Sequence, residues 1–283
     1  MSTIQDFSGY NPTWCPGCGD WGIGVAIKQA LVQLSLNPSS VAAVFGIGCS
    51  GNMNDFLNAY ANHSLHGRAI PNAIGIKIAN HKMPVIAIVG DGDCYGEGGN
   101  HLVHACRGNH DVTVIVHDNG VYGLTTGQSA PTAQKGFKSK STPTGILETP
   151  INPLALTITS GATFVAQSFA GDVLHTISMI KAGIEHKGFS LINILQPCVT
   201  FNKINTYQYY LQRVYKLDEN YKKDDFKIAV QKSLETNEEK FPLGIIYQDK
   251  KPSYTDQLPQ LNESTLLDKT RFTDFNKITK LFI

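Results

Sequence analysis

Two sets of residues in this chain have types and spacings that can do chemistry. The first is a set of thiols. Cys15-Pro16-Gly17-Cys18-Gly19 is a tight C-x-x-C turn whose Pro and Gly bring two sulfurs within reach of one metal centre. Cys49 lies in Gly46-Ile47-Gly48-Cys49-Ser50-Gly51, and Cys198 lies in Gln196-Pro197-Cys198-Val199. A C-x-x-C pair alone is ambiguous, because a zinc site usually brings a second close pair, and here the other thiols are single and far apart. Four thiolates suit either tetrahedral zinc or an iron–sulfur cube. The plainer alternative is that Cys49 and Cys198 are small buried residues and that Cys15 and Cys18 form a lone redox pair. Cys94 and Cys106 read as buried apolar residues, a common fate of free cysteine.

The second set is made of oxygen donors. Gly90-Asp91-Gly92-Asp93 follows one apolar run, and Asp118-Asn119-Gly120-Val121-Tyr122 follows the next. Magnesium takes oxygen ligands in a tight octahedron and commonly shares them with a bound phosphate. Asp91 offers a carboxylate, Asn119 an amide oxygen and Val121 a main-chain carbonyl. Glycines on either side of Asp91 let the backbone come close to diphosphate oxygens. Asp-Gly is also an ordinary turn, so the strength of the signal is the Asn 28 positions after Asp91, again at a strand end.

The elements that must position these groups alternate. Residues 41–48, 84–89, 112–117, 163–169 and 191–195 are short, rich in β-branched residues and bounded by Gly, Asn or Asp, which reads as strands. Residues 21–36, 70–79, 98–108 and 172–186 have helical spacing. This order predicts an α/β fold with a mostly parallel sheet and helices on both faces, binding its ligand where strands end at their carboxyl edges. Residues 125–153 are rich in Ser, Thr, Pro and Gly and show no period, so a long, functional surface loop is expected there. The composition shifts beyond Asn202. A first region, 1–204, is expected to carry the ligand sites, and a 205–283 extension to pack on it or on a partner.

Bulk properties exclude other classes. With 24 Lys+Arg against 23 Asp+Glu, the net charge of +1 gives no pull toward nucleic acid or anionic lipid. The longest apolar run, 83–89, is far too short for a bilayer and reads as a buried strand. Residues 1–10 lack the order of a secretory signal, so a cytoplasmic protein is expected, with its thiols kept reduced. At 283 residues with 42% hydrophobic content, the chain can bury a sizeable core.

The Gly-Asp-Gly to Asn stretch resembles the thiamine-diphosphate signature. Together with 14–19, 46–51, His66-Gly67-Arg68-Ala69, Tyr122-Gly123-Leu124 and Gln196-Pro197-Cys198, it resembles the β subunit of 2-oxoacid:ferredoxin oxidoreductases over about residues 6–215. The motifs are specific as an ordered combination and weak singly. The resemblance implies a thiamine-diphosphate-binding fold, with Cys15, Cys18, Cys49 and Cys198 holding a [4Fe-4S] cluster. It implies that Asp91, Asn119 and the Val121 carbonyl hold Mg²⁺, and that Ile47, Gly48, Cys49, Ser50, His66, Gly92, Asp93, Gly123 and Leu124 surround the cofactor. The implied reaction is oxidative decarboxylation of a 2-oxo acid with coenzyme A to acyl-CoA and CO₂, electrons leaving through the cluster to ferredoxin. The cofactor carries the bond breaking, so no side chain of this chain is assigned a catalytic role. Only the diphosphate-gripping half of such a site is legible, so an α subunit, or α and γ domains, is expected in an αβ or (αβ)₂ assembly. The chain alone is expected to be inactive.

Two positions depart from the family pattern. Asn52 stands where enzymes for dicarboxylic substrates often have Arg or Lys, and a neutral amide pairs a distal carboxylate weakly. This favours a monocarboxylic 2-oxo acid. Thr126 stands where Lys is frequent, which removes one contact to coenzyme A phosphates. Lys135, Lys138 and Lys140 could replace it, although a solvated face is the simpler reading. The eight histidines other than His66 carry no signal. The rival readings are a non-oxidative thiamine-dependent decarboxylase or carboligase, which needs no thiol quartet, and a non-catalytic metal-binding assembly protein, which would not bind thiamine diphosphate.

Overall fold

The computed structural model describes residues 2–236, 239–269, 274–280 and 282. In chain order its strands are β1 (Ala42–Phe45), β2 (Tyr60–His63), β3 (Val85–Gly90), β4 (Thr113–Asp118), β5 (Val121–Tyr122), β6 (Gln128–Ser129), β7 (Phe164–Phe169), β8 (Ser190–Leu195), β9 (Val214–Lys216) and β10 (Phe241–Gln248). Eight of them form one sheet in the order β2-β1-β3-β4-β8-β7-β10-β9, and β5 and β6 pair separately. From β2 to β7 every pairing is parallel, while β10 runs antiparallel to β7. The five expected strands and the parallel sheet are therefore present.

Burial on both faces explains why the central strands read as unbroken apolar runs: β3, β4, β7 and β8 are buried almost throughout. Alternate residues face opposite sides. Val44, Ala87, Val114 and Leu191 pack toward α2 (Ala69–Ala79), α3 (Gly99–Gly108) and α4 (Pro153–Thr159). Phe45, Ile88, Ile115 and Ile192 pack toward α1 (Gly19–Gln33) and α5 (Val173–Glu185). Cys94 and Cys106 lie in the first of these cores, 1% and 0% exposed, as small apolar residues would.

Several elements lie outside the expected pattern. β2 is exposed at every position and carries no apolar period, because it is an edge strand. α4 is started by Asn152, whose side chain accepts from Ala155 N, with Pro153 in its first turn. Beyond residue 205 come α6 (Tyr207–Leu211), β9, α7 (Phe226–Ser233) and β10, so the extension supplies the last two strands of the main sheet. Phe169, Leu195, Tyr210, Phe241 and Leu243 form the core beneath it. Residues 125–153 are mostly turns, as expected, apart from the short β5-β6 ladder. Among the described residues no helix is long and apolar enough to cross a membrane.

Candidate functional site

Because β1, β3, β4 and β8 are adjacent and parallel, their carboxyl ends share one edge, where ligands bind in open α/β sheets. That edge collects Gly46 to Gly51, Gly90 to Asp93, Asp118 to Tyr122 and Gln196 to Cys198. One cleft there is lined by Ile47, Gly48, Cys49, Ser50, His66, Asp91, Gly92, Asp93, His117, Asn119, Val121, Tyr122, Gly123 and Leu124, among others. Every residue expected around a cofactor, and all three expected Mg²⁺ ligands, meet in it. It encloses only ≈ 50 Å³, well below the few hundred Å³ of a small-molecule pocket. A cofactor here would have to be covered by another surface.

Asp91 is fixed by three donors: Gly92 N to Oδ1 at 2.9 Å, Gly120 N to Oδ2 at 2.7 Å and Thr132 Oγ1 to Oδ2 at 2.6 Å. Burial and the facing charge of Asp118 nevertheless push its carboxyl well above the ordinary carboxylate range. Burial also raises Asp118. Two desolvated carboxyls side by side are unfavourable without a cation, so a Mg²⁺ on Asp91 fits the local electrostatics. Asn119 is oriented for it: its Nδ2 donates to Gln196 Oε1 at 3.0 Å, leaving Oδ1 turned toward Val121, whose N–H donates to it at 3.0 Å.

Other polar atoms in the cleft lack partners. Asp93 accepts from Ile47 N at 3.2 Å and Gly67 N at 2.8 Å through Oδ1, while its buried Oδ2 has none. Ser50 Oγ and His117 Nε2 are likewise buried and unpartnered. Buried polar atoms are rarely left so, and three of them around one cleft fit a ligand that supplies the missing bonds. His66 Nδ1 lies 2.8 Å from Asp93 Oδ1 without the alignment of a hydrogen bond, its side chain 38% exposed at the rim. Gly92 is needed because a Cβ there would fall 2.4 Å from the Tyr122 ring.

The thiol loops meet beside this cleft. Cys18 N donates to Cys15 O at 3.0 Å, closing the C-x-x-C turn, and Gly19 N donates to Pro197 O at 3.1 Å, holding that turn against the Cys198 loop. Trp14 Nε1 donates to the Cys49 carbonyl at 2.8 Å and Trp21 Nε1 to that of Cys15 at 3.1 Å, so both tryptophans of the chain clamp these loops. Burial first, then the charges of Asp20, Cys198 and Cys15, push the Cys49 thiol up to about 12. Burial and Asp20 push Cys18 up further. All six cysteines are free thiols. Among the described residues no three His, Cys, Asp or Glu side chains form a group able to hold a metal ion as they stand. The loops are brought together; the four sulfurs are not gathered onto one point. An all-thiol donor set at this junction suits a soft cluster, whose iron would replace the protons that burial now favours.

Sequence reasoning missed Asp20, His117, Asp118 and Thr132. Asp20 follows the C-x-x-C turn by two residues and is 0% exposed, and His117 is the penultimate residue of a fully buried strand. A polar residue inside an otherwise apolar run was the available signal. A larger cavity of ≈ 690 Å³ lies between the 132–153 segment and the extension, lined among others by Asp118, Lys135, Asn152, Asn205 and Phe241. It contains none of the expected cofactor or metal residues, whereas the unpartnered atoms and the oxygen donors lie at the smaller cleft.

Known proteins resemble this chain along most of its length. Residues 39–194 match the family described as "Thiamine pyrophosphate enzyme, C-terminal TPP binding domain", and residues 198–263 match the family described as the C-terminal part of the pyruvate ferredoxin oxidoreductase beta subunit. The chain is 48% identical to a 2-oxoacid:ferredoxin oxidoreductase subunit beta of Saccharolobus solfataricus, covering 87% of this chain and 88% of the relative. It is 34% identical to the 2-oxoglutarate synthase subunit KorB of Methanocaldococcus jannaschii, covering 88% and 92%. A solved 2-oxoglutarate:ferredoxin oxidoreductase from Magnetococcus marinus, with 2-oxoglutarate, coenzyme A and succinyl-CoA bound, superposes with a TM-score of 0.92 at 37% identity, covering 99% of this chain and 96% of that one.

Proposed function

From a chain that belongs to the 2-oxoacid:ferredoxin oxidoreductase β-subunit family, we propose one half of a cytoplasmic enzyme that oxidises a 2-oxo acid and coenzyme A to acyl-CoA and CO₂ and passes electrons to ferredoxin. The observation that carries the reading is the cleft at the carboxyl ends of β1, β3 and β4, with its oxygen donors and unpartnered buried atoms. Thiamine diphosphate, when bound, supplies the electron sink for loss of CO₂. The chain's own residues do the holding. Asp91, Asn119 and the Val121 carbonyl would hold Mg²⁺, and Ile47, Gly48, Cys49, Ser50, His66, Gly92, Asp93, Gly123 and Leu124 would line the cofactor.

Cys15, Cys18, Cys49 and Cys198 would hold a [4Fe-4S] cluster, which would supply an electron acceptor beside the cofactor. The shallow cleft requires an α subunit to close it and to complete cofactor activation, in an αβ or (αβ)₂ assembly whose contacts include the 205–283 extension. Neutral Asn52 favours a monocarboxylic substrate.

The test is anaerobic co-expression with the partner subunit. The complex is expected to bind thiamine diphosphate with Mg²⁺ by calorimetry, to give an electron paramagnetic resonance signal of a reduced [4Fe-4S] cluster, and to reduce viologen dye with a 2-oxo acid and coenzyme A. Cofactor binding without a cluster signal would move the protein to the non-oxidative decarboxylases. Robust turnover by the chain alone would remove the partner requirement.

A further inference from the structure

His117 stands at the floor of the cleft, two residues before Asn119, and uses only one of its ring nitrogens. Nδ1 lies 2.6 Å from Asp20 Oδ1, with the two side chains 1% and 0% exposed. Nε2 is buried, has no partner and belongs to a residue lining the cleft. Packing alone does not explain such a pair: a buried imidazole with an unused nitrogen costs stability that a valine or isoleucine, the apolar residue types of its strand, would not.

Asp20 is itself held. Its second oxygen, Oδ2, accepts from Cys18 Sγ at 3.2 Å, Gln196 Nε2 donates to the same sulfur at 3.2 Å, and Asn119 Nδ2 donates to Gln196 Oε1 at 3.0 Å. This polar chain runs from an expected Mg²⁺ ligand, through the C-x-x-C turn, back to the floor of the cleft. The 2.6 Å contact leaves Nδ1 engaged with Asp20 whatever becomes of the Cys18 sulfur. Nε2 is then the ring atom left to bond a group in the cleft.

We infer that His117 contacts the bound cofactor or substrate directly, through a hydrogen bond at Nε2, and that Asp20 is a positioning residue that fixes the ring. The inference rests on the cofactor reading above. His117 is a catalytic residue in the sense of touching the reacting partners; Asp20 acts through it. The arrangement is the orienting carboxylate–imidazole pair used in other enzymes to fix the ring. Its position at the end of β4 ties it to the sheet, so its orientation is as fixed as that of Asn119.

The test uses the αβ complex with thiamine diphosphate and Mg²⁺ as the probe. His117→Asn keeps an amide group where Nδ1 meets Asp20 and removes the Nε2 position. His117→Gln returns a polar atom close to where Nε2 stands. Asp20→Asn keeps the ring and alters what fixes it. For each variant the dissociation constant of thiamine diphosphate, kcat and KM for the 2-oxo acid, the cluster signal and the melting temperature are measured.

The expected result for His117→Asn is a loss of about tenfold or more in cofactor affinity or kcat, the size of one hydrogen bond to a buried group, with the melting temperature and cluster signal retained. His117→Gln is expected to recover part of that loss, and Asp20→Asn to lose activity with the ring still present. Cofactor affinity and kcat unchanged in both His117 variants would overturn the inference and leave the functional reading standing. Losses in all three variants that follow the melting temperature alone, with normal affinity in the folded fraction, would overturn it too. A wild-type complex that binds no thiamine diphosphate would overturn the functional reading and this inference with it.

Discussion

The two ends of the same central strands treat buried polar residues in opposite ways. At the amino edge Asn109, in a left-handed conformation after α3, accepts from Thr163 Oγ1 at 2.7 Å and Phe189 N at 2.9 Å and donates to Pro252 O at 3.0 Å. Thr163 also meets His186 Nε2 at 2.8 Å, and nearby Lys77 Nζ lies 2.7 Å from Asp111 Oδ2 while donating to Met83 O. Polar atoms there close the fold on itself. At the carboxyl edge Ser50 Oγ, Asp93 Oδ2 and His117 Nε2 are buried and unpartnered, and Asp91 and Asp118 face one another. Among the described residues four of the five unpartnered buried side-chain atoms lie at the edge where a ligand can satisfy them, His81 Nδ1 before β3 being the exception, and the other edge carries the stability.

The sharpest way to break the comparison is Asp91→Asn. At a ligand-binding edge it should weaken thiamine diphosphate binding in Mg²⁺ by at least about 100-fold by calorimetry. The melting temperature of the cofactor-free protein should stay or rise, because one of two facing buried carboxyls is gone. A marked fall in stability with intact binding would make Asp91 a structural residue. Asn109→Ala is the mirror experiment. It removes four side-chain hydrogen bonds and places a Cβ-bearing residue at positive φ without the Asn side chain that suits it, so denaturant unfolding should show a loss of about 2 kcal/mol with cofactor affinity unchanged.

A smaller effect is expected for Gly92→Ala. The added methyl meets the Tyr122 ring, so the cleft should distort and bind thiamine diphosphate about tenfold less well, while global unfolding changes little. The smallest effect belongs to the long loop. Lys138 and Lys140 are exposed, and replacing both by alanine should move stability by less than about 0.5 kcal/mol. A clear rise in KM for coenzyme A in that variant would instead assign the two lysines to its phosphates.

Much of the fold was legible because the buried parallel strands have no polar face: residues 84–89 and 112–117 admit little but a central strand, and β3 and β4 fall within a residue of those bounds. β2 escaped because an exposed edge strand needs no apolar pattern. β10 escaped because its Phe-Pro-Leu-Gly start looks like a breaker, and Pro242 is accommodated where β10 meets the short edge strand β9. In the site, Asp91 and Asn119 were legible because each follows its strand directly. His117 and Asp20 were not: 97 residues separate them, and their pairing depends on α1 packing under the sheet.

By itself the sequence determined which residues end up at the carboxyl edge, since a ligand group placed just after a parallel strand has nowhere else to go once the strand is buried. It also determined the donor chemistry, oxygen after β3 and β4 and sulfur in the other loops. Only the tertiary structure decided which polar atoms were left without partners, because hydrogen bonding between groups far apart in the chain depends on distances of a few tenths of an ångström that no local pattern encodes. The same holds for the depth of the cleft, which is set by how the loops pack, and it is this shallowness that calls for a second subunit.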